Sequence, residues 1–133
     1  MASPSEELQG AIFALLSADA GVTEIVGAAI YDGKPGQYPC VSFGPTSVVP
    51  DDADCLTARS ETVQLDCWVK DDSRLRMTKR LVDAVKVALH KASASLPTHG
   101  LVSMEVTLMQ SFMDRDGLTG HGVVQVECEV EEN

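Results

Sequence analysis

The stretch Ile30-Tyr31-Asp32-Gly33-Lys34-Pro35-Gly36-Gln37-Tyr38-Pro39-Cys40-Val41-Ser42-Phe43-Gly44 decides the reading of this chain. It reads as a short apolar strand, a turn-rich loop and a second strand that opens at Tyr38-Pro39. Gly33 and Gly36 accept positive φ, Pro35 fixes its own φ, and Pro39 keeps Tyr38 extended just ahead of the strand. Pro39 offers no N–H to a neighbour, so a strand begun this way is expected at a sheet edge.

Toward the N-terminus, Ser3 suits an N-cap, Pro4 the first helical position, and Glu6 can close a capping box. Leu8, Ile12, Leu15 and Leu16 then share one face, which predicts a helix from about Pro4 to Ala18 ended by Gly21. Thr23 to Val26 is expected to add one more turn.

Toward the C-terminus, Cys40 to Val48 reads as a strand and Val49 to Arg59 as a polar loop. From Glu61 to Lys70 the chain alternates: Val63, Leu65, Cys67 and Val69 on one side, Thr62, Gln64, Asp66 and Trp68 on the other. That is a strand with one buried face. Trp68 on its polar side is expected to be covered by something outside the monomer.

Asp72 or Ser73 is then expected to cap a long helix in which Leu75, Thr78, Leu81, Val82, Val85, Ala88, Leu89 and Ala92 recur at helical spacing. Leu96-Pro97-Thr98-His99-Gly100 stops it. Two closing strands follow. Val102, Met104, Val106 and Leu108 alternate with Ser103, Glu105 and Thr107, and Val124, Val126, Cys128 and Val130 alternate with Gln125, Glu127 and Glu129. Asp114-Arg115-Asp116-Gly117-Leu118-Thr119-Gly120-His121-Gly122 is the turn between them.

The order is helix, strand pair, helix, strand pair. It predicts an α+β fold: a mostly antiparallel sheet with two helices packed on one face. At 133 residues the chain is read as one domain, 1–133, large enough for a single core and too small for two. No internal repeat or interdomain linker is visible.

This order of motifs resembles the small tail-terminator, or tail-completion, proteins of long-tailed phages and of phage-derived gene transfer agents. The points of resemblance are the N-terminal helix, Ile30-Tyr31-Asp32, the Pro-containing loop, Tyr38-Pro39-x-Val41-Ser42, the alternating strand, the long helix, and two closing strands around a turn with Gly and His. They run from about Leu8 to Glu131. Two features depart from the pattern: Cys40 stands where an aromatic is usual, and the Asp51–Cys55 loop is unusually acidic.

Composition is consistent with a folded soluble domain: 44% hydrophobic residues and a mean hydropathy near zero. The formal net charge is −10, which opposes tight binding to duplex DNA, since such binding neutralises phosphates with cations. No apolar run approaches the ~20 residues of a membrane span, and the N-terminus lacks the basic and apolar regions of a signal peptide. Folding in a reducing cytoplasm is expected, with Cys40, Cys55, Cys67 and Cys128 as thiols.

The candidates for chemistry are few. No Cys pair has zinc-knuckle spacing and no His pair falls at i, i+4, so no metal and no cofactor are expected. Cys67 and Cys128 sit on apolar strand faces, where Cys acts as a small hydrophobe, and Cys55 is expected to be exposed. A thiol enzyme would need Cys55 near His121 or His99, without any flanking nucleophile motif. Asp114, Asp116 and Gly117 suggest a calcium loop only faintly, because the ligands that should continue it are missing. His121, between two glycines, reads as a turn residue bonded to backbone.

Charge segregates along the chain. Arg74, Arg76, Lys79, Arg80, Lys86 and Lys91 crowd the second long helix; Asp51, Asp52, Asp54, Asp71, Asp72, Glu127, Glu129, Glu131 and Glu132 lie elsewhere. A basic surface on one copy facing an acidic one on the next is the heterologous contact a ring requires.

The resemblance implies a structural virion protein and not an enzyme. It implies a homohexameric ring that caps the tail tube, stops elongation and offers the surface for head–tail joining, with a channel for DNA. The implied partners are further copies of itself, the tail tube protein, a head-side connector or stopper, and DNA in transit without sequence preference. The implied location is the host cytoplasm during assembly, then the neck of the virion. The alternative within the same assembly is a head-completion or stopper protein. Expected contact residues are Asp51, Asp52 and Asp54; Trp68; Arg74, Arg76, Lys79 and Arg80; and Asp114, Arg115 and Asp116.

Overall fold

The computed structural model describes residues 2–132. Helix α1 spans Pro4–Ala18 and α2 spans Ala20–Val26. Strands β1 (Ile30–Tyr31), β2 (Cys40–Pro50) and β3 (Ala58–Lys70) follow, then α3 (Arg76–Leu89), β4 (Gly100–Met113) and β5 (Thr119–Glu131).

The start of α1 follows from its sequence: the Ser3 side chain accepts from the Glu6 N–H, with Pro4 in the first turn. Its end differs from the expected stop at Gly21. Asp19 ends α1 and caps α2 by accepting from Val22 N–H at 3.0 Å, so the chain turns by 81° into a second helix. A short carboxylate that satisfies an orphan N–H makes a new helix start in place of a fraying end.

The sheet order is β1-β2-β3-β5-β4. All pairs are antiparallel except β1 with β2, so the sheet is mixed; among the described residues there are three helices where two were expected. The two-residue β1 pairs parallel with β2, with the loop through Pro35 between them. β2 is not the edge strand that Pro39 suggests: β1 pairs with its start at Val41 and Ser42, next to Pro39, and leaves only its later part open.

The start of α3 also differs. Asp72 and Ser73 have φ of 48° and 65°, which no helix start accommodates. Ser73 Oγ instead donates to Gly117 O at 2.6 Å, and the cap position falls to Leu75 without a side-chain bond. α3 ends at Leu89, before Ala92. Lys91 takes φ 60° and its N–H bonds Met104 O, while Val106 N–H donates to His90 Nδ1. The helix exit is thereby committed to β4.

All three helices pack on one sheet face. Leu8, Ile12 and Leu16 of α1, Val22 and Val26 of α2, and Leu81, Val82, Val85 and Leu89 of α3 close over Val63, Leu65, Cys67, Val124, Val126 and Cys128. Truncating one such leucine to Ala costs about 2–5 kcal/mol, a large share of a domain's ~5–15. Gly120 and Gly122, read as turn residues, belong to β5. They lie under α3, where a Cβ would run into Thr78 and Val82. The turn itself is only Asp114 to Leu118.

β4 does not alternate simply. Register shifts leave Val102 and Thr107 unpaired. Val102 is therefore exposed, and after the second bulge Leu108 faces away from the helices, opposite Gln125.

Candidate functional site

The sheet face opposite the helices is bare, and it carries the most developed side-chain network outside the core. Registers set Ser42 opposite Asp66, and Trp68, His121 and Phe112 in one row across β3, β5 and β4, so that Asp66 and His121 are diagonal neighbours on the same face. His121 Nε2–H donates to Asp66 Oδ1 at 2.8 Å, and Gln64 Nε2 donates to the same oxygen at 3.0 Å. Gln125 Nε2 donates to Gln64 Oε1, and Trp68 Nε1 to Ser42 Oγ. The His121 ring stacks on Trp68, with centroids 3.9 Å apart, and Phe112 tilts against its other side.

One face of the half-buried Trp68 is thus covered from within its own chain. His121 is a strand residue bonded to a carboxylate and not a turn residue bonded to backbone. The pairing was missed because Asp66 and His121 are 55 positions apart and meet only through the β3–β5 register. The i, i+2 pattern of Gln64, Asp66 and Trp68 on one polar strand face was the available signal.

Farther along the same face lie acids. Glu105 faces Glu127 across β4–β5, and Glu129 is next on that strand. Asp51 reaches Glu129. A hydrogen bond with Asp51, aided by burial and by the charges of Asp51 and Glu127, pushes the Glu129 carboxyl up to about 7. Asp52 Oδ1 accepts from Ala58 N–H at 3.0 Å and closes the β2–β3 loop, while Asp54 is exposed at its tip.

The 114–118 turn sits at the other end of the sheet, beyond the far end of the 13-residue strand β3, about 40 Å away. Asp116 Oδ1 accepts from Leu118 and Thr119 N–H, both at 2.8 Å, and Oδ2 from Thr119 Oγ1 at 2.6 Å. These bonds hold its carboxyl below the usual range. They define a turn and leave no calcium loop. Asp114 anchors the same turn through its backbone, and Arg115 is exposed.

The basic residues do not form one surface. Arg74 precedes α3 and pairs with Asp71 and Asp72 at 3.0 and 3.6 Å. Arg76 and Arg80 line a hollow with Asp71 and Met77 on the α2 side. Lys79 lies on the other side, in a groove with Asp83, Met109, Gln110 and Ser111.

The thiol-enzyme alternative finds no geometry. Cys55 is exposed in the β2–β3 loop. His121 is most of the length of β3 away and His99 Nδ1 is taken by Glu7 at 3.0 Å. Cys40, Cys67 and Cys128 are buried, and burial pushes their thiols up, to about 11 for Cys40 and about 12 for Cys128. Among the described residues no group of three or more His, Cys, Asp or Glu could hold a metal ion, and no single helix is long and apolar enough to cross a membrane.

One sheet with its helices all on one side and a bare opposite face defines an α+β protein. The sequence matches the profile of the tail completion protein gp17 family over residues 10–131, and the chain belongs to that family. It is accordingly a structural tail protein. In fold it is similar to a chain of a solved structure described as the virion of a native gene transfer agent particle, with a TM-score of 0.89 and 22% identity, covering 98% of this chain and 99% of that one. Among curated proteins none matches.

Proposed function

We propose that this chain is the tail terminator of a phage-type particle. It closes into a homohexameric ring on the finished tail tube, blocks further tube subunits and presents a new surface to a head-side connector or stopper. The observation that carries this reading is membership of the tail completion family across residues 10–131. The bare sheet face supports it: Glu105, Glu127, Glu129 and Asp51 line up there without a cation among them. Turned to a channel, that face repels DNA phosphate and lets the genome pass without sticking.

Within this reading Asp51, Asp52 and Asp54 lie at one end of the channel and Asp114, Arg115 and Asp116 at the other. One end meets the tube and the other the head side. Arg76 and Arg80 on one flank and Lys79 on the other are exposed and can reach an acidic neighbour, whereas Arg74 is satisfied at home.

Light scattering on a sizing column at low and high salt, alone and with isolated tails, tests the reading, with negative-stain images of any large species. Six-fold rings with an open centre, bound at one end of the tails, are expected. Protein that neither closes into rings nor binds tails sinks it.

A further inference from the structure

The two outer strands are each open over only half their length. On β4, the half up to Val106 is covered by the exit of α3, through Lys91 N–H on Met104 O and Val106 N–H on His90 Nδ1. Among the described residues nothing in the chain bonds the outer side of Leu108–Met113. On β2, β1 covers only Val41 and Ser42, and Thr46–Pro50 has no outer neighbour. Bulges between Phe43 and Thr46 and at Thr107 limit each open edge to one short run, and two such runs with exposed apolar side chains in one chain call for an occupant. Val48, Val49, Leu108, Met109 and Phe112, half of the ten exposed large apolar residues, lie on these two segments.

Resting on the ring reading above, we infer that Leu108–Met113 of one copy pairs antiparallel with Thr46–Pro50 of the next, so that the sheets run on from subunit to subunit. Three geometric facts agree on a second copy as the occupant.

The first is polarity. Asp114 N–H donates to Thr119 O, so by alternation the backbone groups of Met109, Ser111 and Met113 point outward. Asp51 N–H donates to Ala58 O, so those of Thr46, Val48 and Pro50 point outward. All six side chains lie on the helix-bearing face, as one continuous sheet requires, opposite Gly122, Gly120 and Val124 on one edge and Val63, Glu61 and Arg59 on the other. Opposing Ser111 to Val48 places Met113 at Thr46 and Met109 at Pro50, whose missing N–H falls at the end of the ladder. Val49 then lies directly across from Gln110, between Leu108 and Phe112.

The second is stagger. Ser111 aligns through Gly122 with Cys67, and Val48 aligns with Glu61, six positions away on β3. That is about 20 Å along the strands, against about 19 Å for four strands abreast. Identical copies joined this way stand level in a ring only if the strands tilt by roughly 45°, the steep end of the range closed barrels adopt.

The third is charge. Lys79 borders Met109–Ser111, and the facing segment runs into the loop that carries Asp52 and Asp54, Asp51 being turned to the bare face with Glu129.

The test is a disulfide between copies. In a Cys55→Ser background, Val49→Cys with Gln110→Cys puts two thiols at a directly opposed, non-hydrogen-bonded pair, about 4.5 Å between Cα atoms. Oxidation of the full-length protein, alone or on isolated tails, is expected to give a ladder of linked copies on a non-reducing gel. Val49→Cys with Val102→Cys, on the covered half of β4, is expected to give none. Rings that form without the first link overturn this pairing and leave the ring reading standing. No assembly under either condition overturns both. Ser111→Pro removes one outward N–H at an edge that tolerates proline. It is expected to keep a folded monomer by circular dichroism and abolish rings; rings of normal size overturn the pairing.

Discussion

His121 and Asp66 lie 2.8 Å apart on neighbouring strands of the bare face, with the His121 ring sandwiched between Trp68 and Phe112. The pair closes a polar network around one tryptophan. His121→Ala removes the stacked ring and leaves the Asp66 carboxylate with Gln64 alone. A loss of about 1–3 kcal/mol is expected, typical of a buried polar group stripped of a partner. The single tryptophan reports it directly: its emission should shift to the red. Unchanged emission and an unchanged denaturation midpoint would remove the network from the account of stability.

Gly122 allows a close approach of α3 to the sheet. A Cβ there meets Val82 Cγ2 and Cys67 Cβ, both in the packed core. Gly122→Ala is expected to cost about 1–3 kcal/mol by overpacking. Adding Val82→Ala makes room and should recover part of that loss. Urea melts of the two variants decide it, and a second substitution that only adds to the damage contradicts a steric cause.

The Glu7 carboxylate fastens α1 to the segment before β4. It accepts from Thr98 N–H and His99 Nδ1–H, each at 3.0 Å, and from Thr98 Oγ1. Burial raises its pKa, but the Thr98 and His99 bonds outweigh this and hold it down at about 2. A depressed carboxyl pKa stabilises the fold above the unfolded value of about 4.5, and that stability is lost as pH falls through about 2. Glu7→Gln should therefore melt below the parent at pH 7, with the gap closing toward pH 2. A gap independent of pH would assign the effect to packing.

Glu129 carries the opposite sign. Its pKa rises to about 7 through Asp51, burial and Glu127. A raised carboxyl pKa stabilises the fold fully below about 4.5, and the contribution is lost as pH climbs through about 7. Glu129→Gln is expected to melt higher than the parent at pH 8, on the order of 3 °C, and close to it at pH 4. Thermal melts at the two pH values check the crossover; equal melting at pH 8 would mean the carboxyls do not repel one another there.

Much of the fold is carried by local pattern. Ser3-Pro4 and the spacing of Leu8, Ile12 and Leu16 specify α1, and the alternation of Val63, Leu65 and Cys67 specifies β3, because periods of 3.6 and 2 are properties of the backbone itself. The family motifs from Ile30 onward were legible for the same reason: they are turns and strand starts with local geometry. The acids of the β2–β3 loop and the exposed Cys55 were also readable from composition alone.

What tertiary structure alone decided lies between strands. Nothing near Asp66 announces His121, and nothing near Trp68 says that a ring from its own chain will cover it. The bulges at Val102 and Thr107 shift β4 out of its apparent alternation, and Ser73 gives up a capping role for a bond with Gly117. Glu129 gains its raised pKa only because Asp51 and Glu127 are brought beside it. Residue types and spacings prescribe which way a side chain points along its own element. Which group it meets there depends on register, and register is set by packing the whole sheet against the three helices.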